Sequence, residues 1–379
     1  MITQIRGTGN LNSIRRVVDV AKKIDVLEPD SAPLTLLTKK MDKRVAVNPE
    51  FNWMEEESLV KSDAINNGAG YAAGLTALTV DAGTKFRAGD VVKVTRTGEQ
   101  MLISSVATHV LTVIRGWGST AAAAIVDDDP LLIVGNANQE HATKRDVKIG
   151  DIAKKTNYTQ IFRTPFGISR TANKSDTNGK NDLAHQRMMQ LIEHQKEIER
   201  AFWFGEPKED LTGTHPRRAT GGVDYFISTN ATDAGGALTE LEFDGFMRTG
   251  FRYGAKTKWL FAAPIVVSAI NYWAKSKLQT KVDDKTYGIS VMKYSTPFGV
   301  VNIVTMNLFT EVTLYSGYAY LLDMESLSYR YIAESDTKLK TNIQDNSADG
   351  EEDEYISEVG LEFSQEKKNS LLYNVTSFS

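Results

Sequence analysis

One stretch constrains the fold more than any other. Residues 181–204, NDLAHQRMMQLIEHQKEIERAFWF, form the longest uninterrupted helical signal in the chain. No Pro or Gly breaks it, and strong helix formers fill it. Ala184, Met188, Leu191, Gln195, Ile198 and Phe202 are spaced by four, three, four, three and four residues, which puts them on one face. Asn181 or Asp182 can cap the first turn, and Gly205 followed by Pro207 ends the helix. At ~1.5 Å per residue the element is on the order of 35 Å long. A single mainly apolar stripe predicts a spine that lies against sheets on one side rather than passing through a core.

The 379 residues exceed the usual size of one compact domain, so two or three sub-domains are expected. Basic and acidic residues nearly balance, 44 against 48, which gives no electrostatic footprint for general nucleic-acid binding. Cys is absent, which excludes disulfides, thiolate metal sites and a cysteine nucleophile. The N-terminal stretch MITQIRGTGNLNSIRR lacks the apolar core of a secretory signal, and no apolar run approaches the ~18 residues of a membrane span. The expectation is a protein made in, and soluble in, a cytoplasm.

Residues 1–50 read as an arm. Val17, Val18, Ala21 and Ile24 suit a short helix over Ile14–Ile24, Pro29 and Pro33 break it, and Leu34, Leu36 and Leu37 follow as apolar anchors. Such anchors serve either a neighbouring subunit or the chain's own core. The segment VAVNPEFNW (Val45–Trp53) alternates as a strand, and AINNGAGYAAG reads as a flexible connector. Residues 75–135 carry short strands between Gly/Asp turns, a small barrel or sandwich; within them Arg115-Gly116-Trp117-Gly118 reads as a tight turn with a packed Trp. Residues 136–175 are extended, with a turn at Pro165-Phe166-Gly167.

Beyond the spine, Val223–Ile227 reads as a strand and LTELEFDGFMRTGFRYG as a helix capped near Thr239. KWLFAAP is a buried strand, and IVVSAINYWAKSKLQT is a second helix with Val266, Ile270 and Trp273 on one face. MKYSTPFGVVNIVTMN and YAYLLDMESLSYRYI are strands, LFTEVTLYSG a short edge segment, and the chain ends in β-structure after the acidic run DNSADGEEDEY.

No catalytic constellation emerges. His109, His141, His185, His194 and His215 form neither HxxxH nor HExxH, and GxSxG, Walker A and helix-opening GxGxxG motifs are missing. The runs Glu55–Glu57, Asp127–Asp129 and Glu351–Glu354 lack the oxygen-ligand spacing of a calcium loop; the first and last read as solvated faces or ion-pair partners for another subunit. Arg217 and Arg218, with Lys208 nearby, make a small basic patch. An enzyme is not expected, and no catalytic residue, metal or cofactor is implied.

The order of parts resembles the major capsid proteins of tailed bacteriophages with the Hong Kong 97-type shell fold, in the subgroup with a β module inserted in the extended loop. The resemblance is carried by RRVVDVAKKIDVLEPDSAPLTLLTKK in the arm and by LTVDAGTKFRAGDVVKV with LTVIRGWGSTAAA in the module. FGISRTANKSD, HQRMMQLIEHQKEIERAFWFGEP and RRATGGVDYFI carry it around the spine. It implies an α+β fold with an N-terminal arm (1–50), an extended loop (51–165) bearing the module (75–135), and a peripheral domain (166–230) with the spine (181–204). An axial α/β domain (231–330) and a return to the peripheral domain (331–379) complete it.

The implied function is a structural virion protein. Copies would form hexamers and pentamers of an icosahedral shell around double-stranded DNA, which lies near the shell without specific binding. A portal and separate scaffolding or decoration proteins would be further partners, and residues 1–50 are too short for the long scaffolding extension of some relatives. Tentative subunit-interface residues are Leu34, Leu36, Leu37, Glu55, Glu56, Arg217 and Arg218. The acidic stretch 345–354 would meet a basic patch such as Lys39, Lys40, Lys43 and Arg44 across a contact, or lie on the outer surface. An arm and excursion folded back on their own body would count against the shell. The alternatives are a non-catalytic tail-associated or binding protein that recognises a partner through 75–135, and a hydrolase with an unseen site.

Overall fold

The computed structural model describes residues 32–378 apart from 59, 142–146, 148–149, 176–181, 278–280 and 283–291. The expected helix Ile14–Ile24 and most of the expected arm lie outside the described residues. Two compact units are present. One comprises the chain up to Trp53 and from Lys155 onward, the other Met54–Lys154. The described helices are α1 (Pro33–Met41), α2 (Arg170–Lys174), α3 (Asp182–Phe204), α4 (Val223–Phe226), α5 (Glu240–Gly250) and α6 (Pro264–Lys277).

Two large sheets build the first unit. A five-stranded sheet runs in the order Lys43–Ala46, Leu327–Ile332, Gly350–Phe363, Gln160–Ser169, with Lys338–Lys340 also paired to the long third strand. A seven-stranded sheet runs Ala231–Leu238, Ser370–Phe378, Ala319–Leu322, Thr257–Ala262, Val300–Thr305, Met292–Ser295, Lys281–Val282. Side chains alternate across a strand, and Thr257–Ala262 uses both faces. Leu260 and Ala262 enter the core shared with Phe243, Phe246 and Met247 of α5 and Val266 and Ile270 of α6. Trp259 and Phe261 enter a second core with Ile198, Phe202 and Trp203 of α3. A near-continuous apolar run is what a strand covered on both faces requires.

The last turns of α3 bind both sheets. The Trp203 ring lies 5.2 Å from Phe261, 5.1 Å from Phe309 and 5.0 Å from Tyr320, centroid to centroid. Phe202 meets Tyr329 of the five-stranded sheet edge-on at 5.9 Å. The buried stripe is therefore His194, Ile198, Glu199, Phe202 and Trp203, and it differs from the expected one. Ala184, Met188 and Gln195 are exposed, and the buried positions concentrate in the C-terminal half of the helix.

Three local expectations change. Residues 223–226 form α4, a short helix and not a strand. Its entry at Gly222 runs so close to the spine that a Cβ there would sit 2.8 Å from the Ala201 and Phe202 carbonyl oxygens, which leaves room only for glycine. Pro165 sits inside the strand Gln160–Ser169, opposite Glu354, and not at a turn. That strand is the last of its sheet, where a missing N–H is tolerated. Residues 307–317 are tight 3₁₀ turns in place of an edge strand.

The second unit is a six-stranded barrel. Its order is Ser62–Ala64, Pro130–Asn136, Asp90–Val94, Gln100–Ala107, Val110–Ile114, Ala77–Thr79, and the antiparallel bridge Ile65–Val80 joins the two ends. Alternate residues fill it: Val92, Val94, Met101, Ile103, Leu111, Val113 and Leu131 are buried with Ile65, Leu78 and Val80. The Gly/Ala-rich stretch expected to be a flexible connector is pinned to the wall through the Tyr71–Ile125 bridge and the Thr79 N–H donating to the Tyr71 hydroxyl. The tight turn after Ile114 inverts the expectation for its side chains. Trp117 is half-exposed, while Arg115 is buried and forked onto Glu99 at 2.7 and 2.9 Å.

Candidate assembly surface

The seat of α1 governs what the chain offers to a neighbour. Leu34 and Leu37 are fully buried in the chain's own core with Phe202, Leu327 and Tyr329. The reading of these two as intersubunit anchors is corrected: their apolar surface is already covered, and a sibling has nothing left to bind. Leu36, on the other side of α1, is exposed. Glu199 of α3 closes the seat by accepting from the Leu34 N–H, the Thr35 N–H and hydroxyl, and the Trp203 indole N–H. Burial pushes the Glu199 carboxyl up, and these donors pull it back toward the charged form.

Polar side chains fix the spine to the five-stranded sheet as well. His194 Nδ1 is 2.8 Å from Thr164 Oγ1 and Nε2 is 2.7 Å from Ser357 Oγ, all buried. Burial, with Lys39 nearby, lowers the His194 pKa from 6.5 to about 4. The folded state therefore excludes a proton that the unfolded chain accepts below 6.5. Stability from this residue is complete above 6.5 and falls as pH drops toward about 4, a loss on the order of 3 kcal/mol. Urea midpoints across that range check this, and His194→Gln should flatten the slope.

Three carboxylates of the acidic run are paired within the chain. Asp349 pairs with Arg170, Asp353 with Arg187 and Glu354 with Arg163, all within the same unit. Lys39 and Lys43 instead share Asp336, and Arg44 reaches Asp42 and Glu362. Against the pull of burial, these lysines bring Asp336 down to about 2.

The remaining expected interface residues are divided between the two units. Arg217 and Arg218 lie on the second strand of a hairpin, Lys208–Asp210 with Arg217–Ala219. Arg218 pairs with Glu209 at 2.8 Å, and Arg217 is exposed. Both line a shallow groove with Thr159, Ile161, Pro216 and Glu358, in which Ile161 is largely exposed. Glu55 and Glu56 belong to the other unit, at the end of the strand Glu50–Glu56. The barrel shows its own apolar surface: Val91, Leu102 and Ile114 are cross-strand neighbours on the outer face, and Leu132, Val134 and Trp117 are exposed. With its ends bridged, the barrel leaves no long free strand edge among the described residues.

Among the described residues no cluster of three or more acidic or histidine side chains is placed to hold a metal, and no helix is long and apolar enough to cross a membrane. Lys258, fully buried, is absorbed by structure. It donates to the carbonyls of Gly250, Tyr253 and Lys368, and burial lowers its pKa to about 8.

Residues 2–376 match the family described as SU10 major capsid protein. The major capsid protein of Pseudomonas phage PaMx41 is 22% identical over 324 residues, covering 82% of this chain and 77% of that protein. Among solved structures, one from Mycobacterium phage Bobi superposes with a TM-score of 0.51 at 6% identity, over 95% of this chain and 96% of that one. The cyanophage A-1(L) capsid subunit gives 0.49 at 11% identity, over 94% and 97%.

Proposed function

The chain belongs to the SU10 major capsid protein family, and from that premise we propose how one copy meets the next. It is a structural protein of the phage virion, a subunit of the capsid shell and not an enzyme, with the mixed α+β fold of Hong Kong 97-type capsids. The observation that carries the function is a family match running almost from end to end of the chain.

In our reading, copies assemble into hexamers and pentamers that close an icosahedral shell around double-stranded DNA. Residues 231–330 serve as the axial domain, 166–230 and 331–379 as the peripheral domain, and 51–165 as the extended loop that reaches a sibling. Arg217 and Arg218 on the hairpin, Glu55 and Glu56 at the loop base, and Leu36 on α1 are the interface residues. A portal, scaffolding protein and decoration protein are further proposed partners. The near balance of 44 basic and 48 acidic residues suits a shell that does not grip its DNA.

The seated helix does not oppose this reading, which rests on the family and not on the arm. It changes the mutational test. Leu37 is core, so its loss would damage the fold itself. Leu36→Asp alone should leave the subunit folded by circular dichroism and thermal melting, within about 0.5 kcal/mol of the wild type. Assembly yield by light scattering should fall sharply. Full-sized particles from this variant would remove Leu36 from the interface. Scattering masses of a single chain for the wild type would overturn the shell reading.

A further inference from the structure

We propose that α1 is a strap hinged at its C-terminal end and released at its N-terminal end, with Glu199 as the catch. The strap cannot cap itself. Ala32 has no side-chain acceptor, and Pro33 opens the helix without an N–H. Both Glu199 oxygens do the capping from the spine: Oε1 accepts from Leu34 N at 2.9 Å and Trp203 Nε1 at 2.9 Å, and Oε2 from Thr35 N at 2.7 Å and Thr35 Oγ1 at 2.6 Å. At 9 residues the helix is also shorter than the ~12–15 that persist alone in water, so it exists because it is seated.

The other end is held differently. The Tyr329 N–H donates to the Asp42 carbonyl, and Lys43–Ala46 pairs in parallel with Tyr329–Ile332. Asp336 accepts from Lys39, Lys43, the Tyr329 hydroxyl and the Thr337 N–H. The backbone ladder of a strand thus continues from the C-terminal end with Asp336 beside it, while the N-terminal end is held by one carboxylate that accepts four bonds and by the buried Leu34 and Leu37. Opening at the end that lacks a strand ladder swings α1 about Asp336 and uncovers the groove beside Phe202, Leu327 and Tyr329. The strap stands on its own geometry and does not rest on the shell reading.

Hydrogen exchange read by mass spectrometry, on the full chain as dispersed subunits, tests this without any assembly step. In Glu199→Gln, amides of residues 34–41 should exchange at least about tenfold faster than in the wild type. Lys43–Ala46 and Thr257–Ala262 should keep their protection. Asp336→Asn should act mainly on residues 39–46. Thr35→Val, which keeps the backbone donor and loses only the hydroxyl, provides a milder arm if Glu199→Gln does not fold. It should open the same amides to a smaller degree. Unchanged exchange of 34–41 in these variants, or opening only together with 43–46 or α3, would overturn the strap.

Discussion

Trp203→Ala is expected to destabilise the first unit by roughly 3–5 kcal/mol. The indole is fully buried and is the point where α3 meets the seven-stranded sheet, through Phe261, Phe309 and Tyr320. Its removal leaves a large cavity at a place where four ring systems pack together. It also takes one donor from Glu199, so the α1 seat should loosen with it. Guanidinium unfolding would show the loss as a lower midpoint at unchanged slope. Hydrogen exchange should show lost protection in both Thr257–Ala262 and residues 34–41. A cost below about 1 kcal/mol would mean that the spine is not the joint between these layers.

Arg115→Leu should be comparably severe but confined to the barrel, at roughly 3–5 kcal/mol. The guanidinium is bidentate to Glu99 and also donates to the carbonyls of Ala72, Leu75 and Ala123. Glu99 in turn accepts from the N–H groups of Gly116 and Ala123. Burial opposes the Glu99 charge, but Arg115 and these donors outweigh it and hold the carboxyl below its usual range. Without Arg115 a fully buried carboxylate loses its charged partner, and the Leu75 and Ala123 carbonyls lose a donor. The double variant Glu99→Leu/Arg115→Leu should recover part of the loss, since no charge is then stranded. Because Met54–Lys154 is a compact unit of its own, exchange should rise in Asp90–Ile114 while Thr257–Ala262 stays protected. Equal loss in both regions would show that the barrel does not fold as a separate unit.

How much of this was readable beforehand follows the range of the interactions. The Thr239 cap of α5 was legible because its partner is three residues away, a reciprocal Thr239–Glu242 capping box. The strand Thr257–Ala262 was legible because burial on both faces writes a continuous apolar run. The barrel's strands announced themselves by alternation and turns. Glu199 and His194 did not, since a polar residue on a helical stripe carries no mark of a partner more than 160 residues off. The ion pairs of the acidic run were hidden because its arginines, at 163, 170 and 187, are remote in sequence. Residues 223–226 have strand-like composition, but tertiary contact with the spine overrides it. Leu34 and Leu37 showed that something must cover them, and a single sequence cannot say whether that cover is the same chain or the next copy.

The central claim is that this chain tiles with itself into a closed shell, and electron micrographs of the purified full-length chain expressed alone test it most directly. Rings of five or six subunits, or closed polyhedral shells assembled from them, are predicted. A field of dispersed single subunits at every concentration, from a chain that circular dichroism shows to be folded, would contradict it.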